Sequence, residues 1–432
     1  MSKFMMTTLT VTVALVATSA SAATKISWWH AMAGTNGETV SAVAQKFNAS
    51  QNLCEIEAIN KGTYEDNMTA TIAAFRAGNA PNISQIYDAG AATIIGAKGA
   101  AIAVEDLFKE SGVAFDSNDY IPGVRYFYAD SQGKMIGMPF NSSTPIMYYN
   151  KDILEKLGLE PPKTWEEFEE MAPKIKEAGY IGLSQSHTPW IFVENYMSRQ
   201  NQPFATNNNG FDGAKGTKIL TNNEALINFW TQVKGWSDAG YYKYYGAGWG
   251  DNQTPFEQGK VAFWLGSSGD FGNLRAVDGL NFSATLLPYQ ASIEGGNKAT
   301  YIGGGALFAL SGKPKEENDC TVKFFEFLAQ PETQYFWHKS TGYVPVTTAA
   351  YELAKSDGYY EESPAAETGV IQLNLEQGDY KGYRMGFYPQ IREVIYKEFE
   401  DMINNKTDAK KALNTVEKEG NKLLERFAKT VR

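Results

Sequence analysis

The chain has 432 residues, enough for two or three domains. Hydrophobic residues make up 43% of it and charged residues 20%, which are ordinary values for a globular protein and exclude global disorder. Its formal net charge of −10 argues against a nucleic-acid or anionic-membrane binder, because both of those surfaces repel an acidic protein.

The first 22 residues have the pattern of a secretory signal peptide. Lys3 lies near the start, residues 9–16 are apolar, and residues 20–22 read Ala-Ser-Ala, which is typical of a cleavage site. The apolar run is too short for a membrane span, no Cys follows it, and no later stretch approaches 18 apolar residues. We therefore expect an exported, periplasmic protein without a membrane anchor.

The residues that follow alternate short apolar runs with amphipathic segments. Residues 25–29, 54–59 and 83–87 read as strands, and apolar residues at helical spacing predict a helix in each interval. Thr35 with Glu38 predicts a capping box at the start of the first helix. The β-α-β-α-β order is typical of a mainly parallel sheet covered by helices.

Further capping boxes are predicted at Thr164 with Glu167 and at Thr221 with Glu224, each ahead of apolar residues at helical spacing. Residues 409–427 have one apolar stripe and read as an amphipathic helix. No Pro-rich linker occurs, so two α/β units in this chain have to be joined by short extended crossings.

The two cysteines, Cys54 and Cys320, are 266 residues apart, in a predicted strand and a predicted helix. An oxidising compartment permits a bridge between them, but two cysteines do not make a disulfide framework. We expect two separate buried thiols.

Signatures of catalysis are missing from the sequence. His30, His187 and His338 lie far apart and in no zinc-ligand spacing, so neither a metal nor a cofactor is expected. No phosphate-binding or dinucleotide-binding glycine motif occurs, and residues 266–269 (GSSG) fall one residue short of a nucleophile elbow. A carboxylate pair could lie among the 49 acidic residues, but nothing singles out two. This favours a binding protein over an enzyme.

Several segments resemble the periplasmic solute-binding proteins of ABC importers, the class that includes maltose-binding protein. Residues 162–167 (PKTWEE) and 148–152 (YYNKD) are similar to phrases frequent in that class. The finer resemblance is to its members that bind sn-glycerol 3-phosphate, and it covers nearly the whole chain after residue 22. It is carried, in constant order, by residues 29–30 (WH), 61–65 (KGTYE), 73–81 (AAFRAGNAP), 139–145 (PFNSSTP), 208–213 (NNGFDG), 341–343 (TGY) and 389–392 (PQIR).

The resemblance implies an α/β fold of the two-lobe periplasmic binding protein type II. Each lobe is expected to be a mainly parallel sheet flanked by helices, and hinge strands are expected to cross near residues 139, 300 and 345. Lobe one is then residues 23–138 and 300–345, and lobe two is residues 139–299 and 346–432. Ligand is enclosed when the lobes close.

The phosphate end of the ligand is implied to contact Tyr343 and Arg392, together with Ser143, Ser267 and the backbone of Gly304. The chemistry agrees, because a phosphate prefers a planar bidentate cation with hydroxyl and amide donors around it. The plain alternatives are an Arg392 paired with a surface acid, serines that are ordinary strand and turn groups, and a glycine that forms a bulge.

At the glycerol end, the resemblance implies Tyr64 in the cleft wall and Asp88 as an acceptor for hydroxyl groups. Asp88 stands where the glycerol 3-phosphate binders have Glu, and His187 stands where they usually have Trp. A smaller ring leaves space for a headgroup beyond the phosphate, with Trp190 and Trp28 as candidate cation–π partners for choline. Alternatively, His187 is a solvent-exposed loop residue, Tyr64 packs at its helix start, and Trp190 belongs to the core.

The leading hypothesis is therefore a monomeric periplasmic receptor that passes glycerol 3-phosphate or a glycerophosphodiester to an ABC permease. A receptor of the same fold for a sugar or oligosaccharide is the alternative, since aromatic residues stack on sugar faces. A third hypothesis, an exported hydrolase of glycerophosphodiesters, requires a metal or nucleophile constellation that the sequence does not show.

Overall fold

The structure is a computed structural model that describes residues 22–97, 99–130, 132–248 and 250–431. The predicted signal peptide lies outside the described residues, apart from Ala22. Within the described ranges, no helix is both long and apolar enough to cross a bilayer.

Ten strands form two separate sheets in the described residues. The strands are β1 (Thr24–His30), β2 (Cys54–Asn60), β3 (Ile83–Tyr87), β4 (Ala101–Ile102), β5 (Met138–Ser143), β6 (Pro145–Asn150), β7 (Ile181–Gln185), β8 (Val261–Ser267), β9 (Phe282–Leu286) and β10 (Gly303–Leu310). The first sheet has the order β2-β1-β3-β10-β4, with β5 also paired to β10, and the second has the order β7-β8-β6-β9.

Both sheets are mixed, but in each of them all strands except one run in the same direction, which confirms the expectation of mainly parallel sheets. In the first sheet, β1 runs parallel to β2 and β3, whereas β10 is antiparallel to β3, β4 and β5. In the second sheet, β7 and β8 are parallel, whereas β6 is antiparallel to β8 and β9. The two reversed strands, β6 and β10, are the ones that enter their sheet directly from a crossing between the lobes.

Nineteen α-helices cover the sheets in the described residues. They are α1 (Gly34–Ser50), α2 (Tyr64–Arg76), α3 (Asp88–Gly96), α4 (Val104–Glu110), α5 (Pro122–Phe127), α6 (Lys151–Leu157), α7 (Trp165–Glu177), α8 (Tyr196–Arg199), α9 (Thr206–Asn209), α10 (Glu224–Ala239), α11 (Gln253–Glu257), α12 (Phe271–Arg275), α13 (Lys315–Ala329), α14 (Pro331–Thr341), α15 (Thr348–Ser356), α16 (Tyr359–Glu362), α17 (Pro364–Leu373), α18 (Tyr388–Ile403) and α19 (Ala409–Ala428). A π-helix, Trp190–Asn195, precedes α8.

The chain crosses between the sheets at three connections that lie side by side. Thr144 alone separates β5 in the first sheet from β6 in the second, and its hydroxyl contacts that of Thr300 on the way from β9 to β10. After α14, the amide of Val344 donates to the carbonyl of Ser142 at 2.8 Å, so a third connection runs beside the first. The lobe boundaries given above stay predictions; the change of sheet falls at Thr144, a few residues beyond residue 138.

Of the three predicted capping boxes, the one at Thr164 and Glu167 is confirmed. The other two are wrong. The helix expected at Thr35 begins at Gly34, and its preceding residue makes no side-chain cap. Thr221 is buried and donates its hydroxyl to the carbonyl of Leu413 on α19, so Asn223 caps α10 instead.

Cys54 and Cys320 form a disulfide, with their Cα atoms 5.7 Å apart, so the expectation of two separate thiols is wrong. Cys54 begins β2 at the edge of the first sheet. Cys320 lies on the buried face of α13, which packs against β1, the neighbour of β2. The crossing into β10 therefore returns the chain to the first lobe and brings the two sulfurs together.

Candidate ligand-binding site

A cleft of about 910 Å³ lies between the two lobes. This volume is near the upper end of the roughly 300–1,000 Å³ that small-molecule sites occupy. All nine residues predicted to contact ligand line it: Tyr64, Asp88, Ser143, His187, Trp190, Ser267, Gly304, Tyr343 and Arg392. The fold therefore brings together residues that are as much as 328 positions apart in this one place.

Tyr64 is the first residue of α2, whose start is fixed by a capping box between Thr63 and Asp66. Its ring stacks on Tyr87 with centroids 5.2 Å apart, and its hydroxyl accepts a hydrogen bond of 2.8 Å from Asn141. These contacts hold the ring in the cleft wall. Tyr64 therefore has a defined packing role at its helix start and also faces the cleft.

Ser143 and Gly304 lie in the β5–β10 ladder at the hinge, where Ser143 pairs with Gly303 and Gly304 pairs with Ser142. Gly304 has a φ of +89°, and a Cβ there would collide with the carbonyl oxygen of Asn141. A β-bulge follows between Gly305 and Ala306. Glycine is thus required by the backbone, and the same lack of a side chain opens the backbone to the cleft.

Ser267 ends β8 and caps a short 3₁₀ helix, Ser268–Asp270. Its amide donates to the carboxylate of Asp270 at 3.0 Å, and its hydroxyl accepts from the amide of Gly269. Burial raises the pKa of Asp270 to about 7. Tyr343 packs against Gly269 from the third crossing, and burial raises its pKa to about 12, so it remains a neutral hydrogen-bond donor at neutral pH.

The loop and π-helix after β7 supply His187 and Trp190. His187 has a φ of +54°, an uncommon conformation for a residue with a side chain, and its ring meets that of Trp190 edge to face. Burial lowers the pKa of His187 to about 4, so the ring is neutral at neutral pH. The indole of Trp190 occupies the space that a side chain at Gly303 would need. Neither residue is a solvent-exposed loop group.

Asp88 and Arg392 are in direct contact across the cleft. Asp88 is the first residue of α3 in lobe one, where the helix N-terminus stabilises a negative charge. Arg392 lies on α18, and its Nη2 donates to Asp88 Oδ2 at 2.5 Å. It also bonds the carboxylate of Glu194, 0% exposed, at 2.9 and 2.8 Å through Nε and Nη2. Although burial opposes its charge, Asp88 and Glu194 together raise the pKa of Arg392 well above its ordinary value.

Two members of this ion-pair group were missed from the sequence. Glu194 sits within an apolar run (WIFVEN), and a lone carboxylate there was the available signal. Tyr383 donates its hydroxyl to Asp88 Oδ2 at 2.5 Å and accepts from Arg392 at 2.8 Å. The suggestion that Trp28 contacts a choline cation is wrong, because its ring is fully buried against Phe140 and Phe324 in lobe one.

The cleft is acidic. Five carboxylates line it and Arg392 is the one cationic side chain among the described lining residues. The carboxylates belong to Glu65, Asp66, Asp88, Glu257 and Glu393. In the part of the chain that the structure describes, no group of His, Cys, Asp and Glu is arranged to hold a metal ion. The site can therefore offer local hydrogen bonds and one cation, with no net attraction for anions at its mouth.

The family follows from a match over most of the chain. Residues 42–368 match the family model described as bacterial extracellular solute-binding protein. The chain belongs to this family. The structure agrees with the family's two-lobe architecture, and the resemblance seen in the sequence is confirmed.

Among curated members of the family, the chain is similar to proteins named sn-glycerol-3-phosphate-binding periplasmic protein UgpB. The Escherichia coli protein is 39% identical over 420 residues, which cover 96% of this chain and 95% of that one. The Salmonella typhimurium protein is 39% identical over 415 residues, 94% of each chain.

Solved structures of the family have the same fold. UgpB from Mycobacterium tuberculosis in complex with glycerophosphocholine gives a TM-score of 0.77 at 22% identity, covering 93% of this chain and 98% of that one. The GacH receptor of Streptomyces glaucescens, solved with acarbose, gives 0.79 at 18% identity, covering 94% and 99%. At these identities the likeness confirms the two-lobe α/β fold.

Proposed function

We propose that this protein is the periplasmic solute-binding receptor of an ABC importer, and that it captures sn-glycerol 3-phosphate and glycerophosphodiesters such as glycerophosphocholine. The observation that carries the proposal is the convergence of all nine predicted residues on one cleft between the lobes. The curated relatives named for sn-glycerol 3-phosphate, at 39% identity over almost the whole chain, support the same ligand class.

In this proposal, the phosphate end of the ligand lies at the hinge. Ser143, Ser267 and Tyr343 donate hydroxyl hydrogen bonds, the Gly304 backbone approaches closely, and Arg392 adds the cation. Asp88 Oδ1 has no hydrogen-bond partner among the described residues, so it is free to accept from a glycerol hydroxyl.

The size of the cleft supports a ligand larger than glycerol 3-phosphate alone. A volume of about 910 Å³ leaves space beyond the phosphate, where His187 and Trp190 lie. Aromatic and acidic side chains around that space suit a cationic headgroup such as choline. His187 is then a specificity residue, since its ring is smaller than the Trp usual at that position.

The protein performs no covalent chemistry in this proposal. Ligand contacts residues from both lobes, so binding shifts the protein toward the closed form, and the closed monomer engages the permease. Incubation of glycerophosphocholine with the purified protein is expected to release neither choline nor glycerol 3-phosphate. Turnover that scales with protein concentration would contradict this.

Calorimetric titration of the exported protein with glycerol 3-phosphate, glycerophosphocholine and maltose in one buffer tests the ligand class. We expect both glycerol phosphates to bind and maltose to give no heat beyond dilution. Binding of maltose alone would instead support the sugar receptor. A Ser143→Ala variant is expected to bind several-fold more weakly because it loses one hydrogen bond, and Ser41→Ala, an exposed serine on α1, is the matched control.

A further inference from the structure

Glu194 lies behind the cleft and does not line it. The π-helix places Trp190 at its start, in the cleft wall, and Glu194 four residues later, fully buried. Its two carboxylate oxygens accept from Nε and Nη2 of Arg392, so one edge of the guanidinium is held from within lobe two.

The single positive charge of the guanidinium is therefore bonded by two carboxylates. Nη2 is shared by Glu194 and by Asp88 of the other lobe, whereas Nη1 has no hydrogen-bond partner among the described residues and remains for ligand. Burial raises the pKa of Glu194, and the charge and hydrogen bonds of Arg392 oppose that rise. With both carboxylates ionised, Asp88, Glu194 and Arg392 together have a net charge of −1.

Other titratable groups near this cluster do not compensate for that charge. The ring of His187 is neutral because burial lowers its pKa to about 4. The phenols around the cluster have a pKa raised by burial, and they are neutral as well: Tyr64, Tyr87, Tyr128, Tyr301, Tyr343, Tyr383, Tyr388 and Tyr396.

We propose that Glu194 is a specificity-determining residue, which biases the cleft toward a phosphate with one negative charge and against a phosphate with two. The inference rests on the proposed function, in which this phosphate lies beside Arg392. A phosphodiester carries one negative charge, whereas a phosphomonoester carries about 1.5 to 2 at pH 7. Each additional ligand charge is repelled by the excess carboxylate, and at a few ångströms in a partly buried site this amounts to about tenfold or more in affinity.

The test compares dissociation constants for glycerol 3-phosphate and glycerophosphocholine in the wild-type protein and in Glu194→Gln. The variant is expected to shift the ratio of the two constants about tenfold in favour of glycerol 3-phosphate. Glu400→Gln is the matched control, because it removes the same charge from an exposed position on α18, and it is expected to change the ratio less than twofold.

A pH series separates this role from a purely structural one. Glycerol 3-phosphate loses its second charge below about pH 6, so its wild-type affinity is expected to rise relative to glycerophosphocholine between pH 7.5 and 5. That rise is expected to be much smaller in Glu194→Gln. An equal loss of affinity for both ligands, with the pH series unchanged, would overturn the inference.

If Glu194→Gln fails to fold, the ratio of dissociation constants is measured in Glu194→Asp instead, because this variant keeps the negative charge. It is expected to keep the wild-type ratio within twofold even where both ligands bind more weakly, and a shift as large as tenfold would overturn the inference. Wild-type protein that binds neither ligand would overturn the proposed function and this inference with it. Wild-type binding of both with an unshifted ratio in Glu194→Gln would overturn the inference alone.

Discussion

Replacing Arg392 with alanine should destabilise the protein as well as weaken ligand binding. The substitution removes the one cation that lies between two buried carboxylates, on Asp88 and Glu194. The side chains of the pairs are 14% exposed for Arg392, 6% for Asp88 and 0% for Glu194. Breaking a buried pair from one side leaves uncompensated charge, which costs about 3–5 kcal/mol.

The cost depends on pH in a defined direction. Burial already raises the pKa of Glu194, and without the guanidinium that pKa rises further above the unfolded value of about 4.3. The folded variant then takes up a proton more readily than the unfolded chain, so protonation favours folding. The deficit in the free energy of unfolding should be largest near pH 8 and should shrink as the pH falls toward 5.

Urea denaturation of the ligand-free protein at both pH values measures this. Lys422→Ala is the control, because Lys422 is 58% exposed and its ion pair with Glu419 on α19 lies at the surface, and it should change little. Adding Glu194→Gln to Arg392→Ala should recover part of the loss. An Arg392→Ala variant as stable as the wild-type protein at pH 8 would show that the two buried carboxylates do not need the guanidinium.

Three further predictions follow from other parts of the fold. Cys54→Ser with Cys320→Ser should cost about 2–5 kcal/mol of unfolding free energy, and a reductant should lower the melting temperature of the wild-type protein but not of this variant. Gly304→Ala should abolish ligand binding, whereas Gly279→Ala, also at positive φ but with open space around it, should lose only some stability; calorimetry with unfolding curves distinguishes them. Burial raises the pKa of Asp270 to about 7 against about 3.9 unfolded, so this group lowers stability as the pH rises from 4 to 7, and Asp270→Asn should flatten that part of the stability profile.

Local patterns in the sequence predicted local structure well. The strands at 25–29, 54–59 and 83–87 and the amphipathic C-terminal helix are confirmed, because apolar periodicity directly reports which face is buried. The capping boxes show the limit of this approach. At Thr221, a tertiary hydrogen bond to Leu413 takes the hydroxyl that the motif assigns to the helix start.

The same local patterns could not predict contacts between segments that are distant in the sequence. The disulfide joins residues 266 positions apart, and its geometry depends on the second crossing returning α13 to β1. The one reversed strand in each sheet has the same cause, since β6 and β10 follow hinge crossings rather than helical connections. The buried partner of Arg392 was missed because an acidic residue in an apolar run gives no indication of which cation it meets.

Hydrogen exchange with and without glycerophosphocholine tests most directly whether ligand is held between the lobes. We expect added protection on both sides of the cleft, at the start of α3 in lobe one, at the start of α18 in lobe two and at the hinge around Gly304. Protection confined to one lobe, or none at saturating ligand, would contradict it.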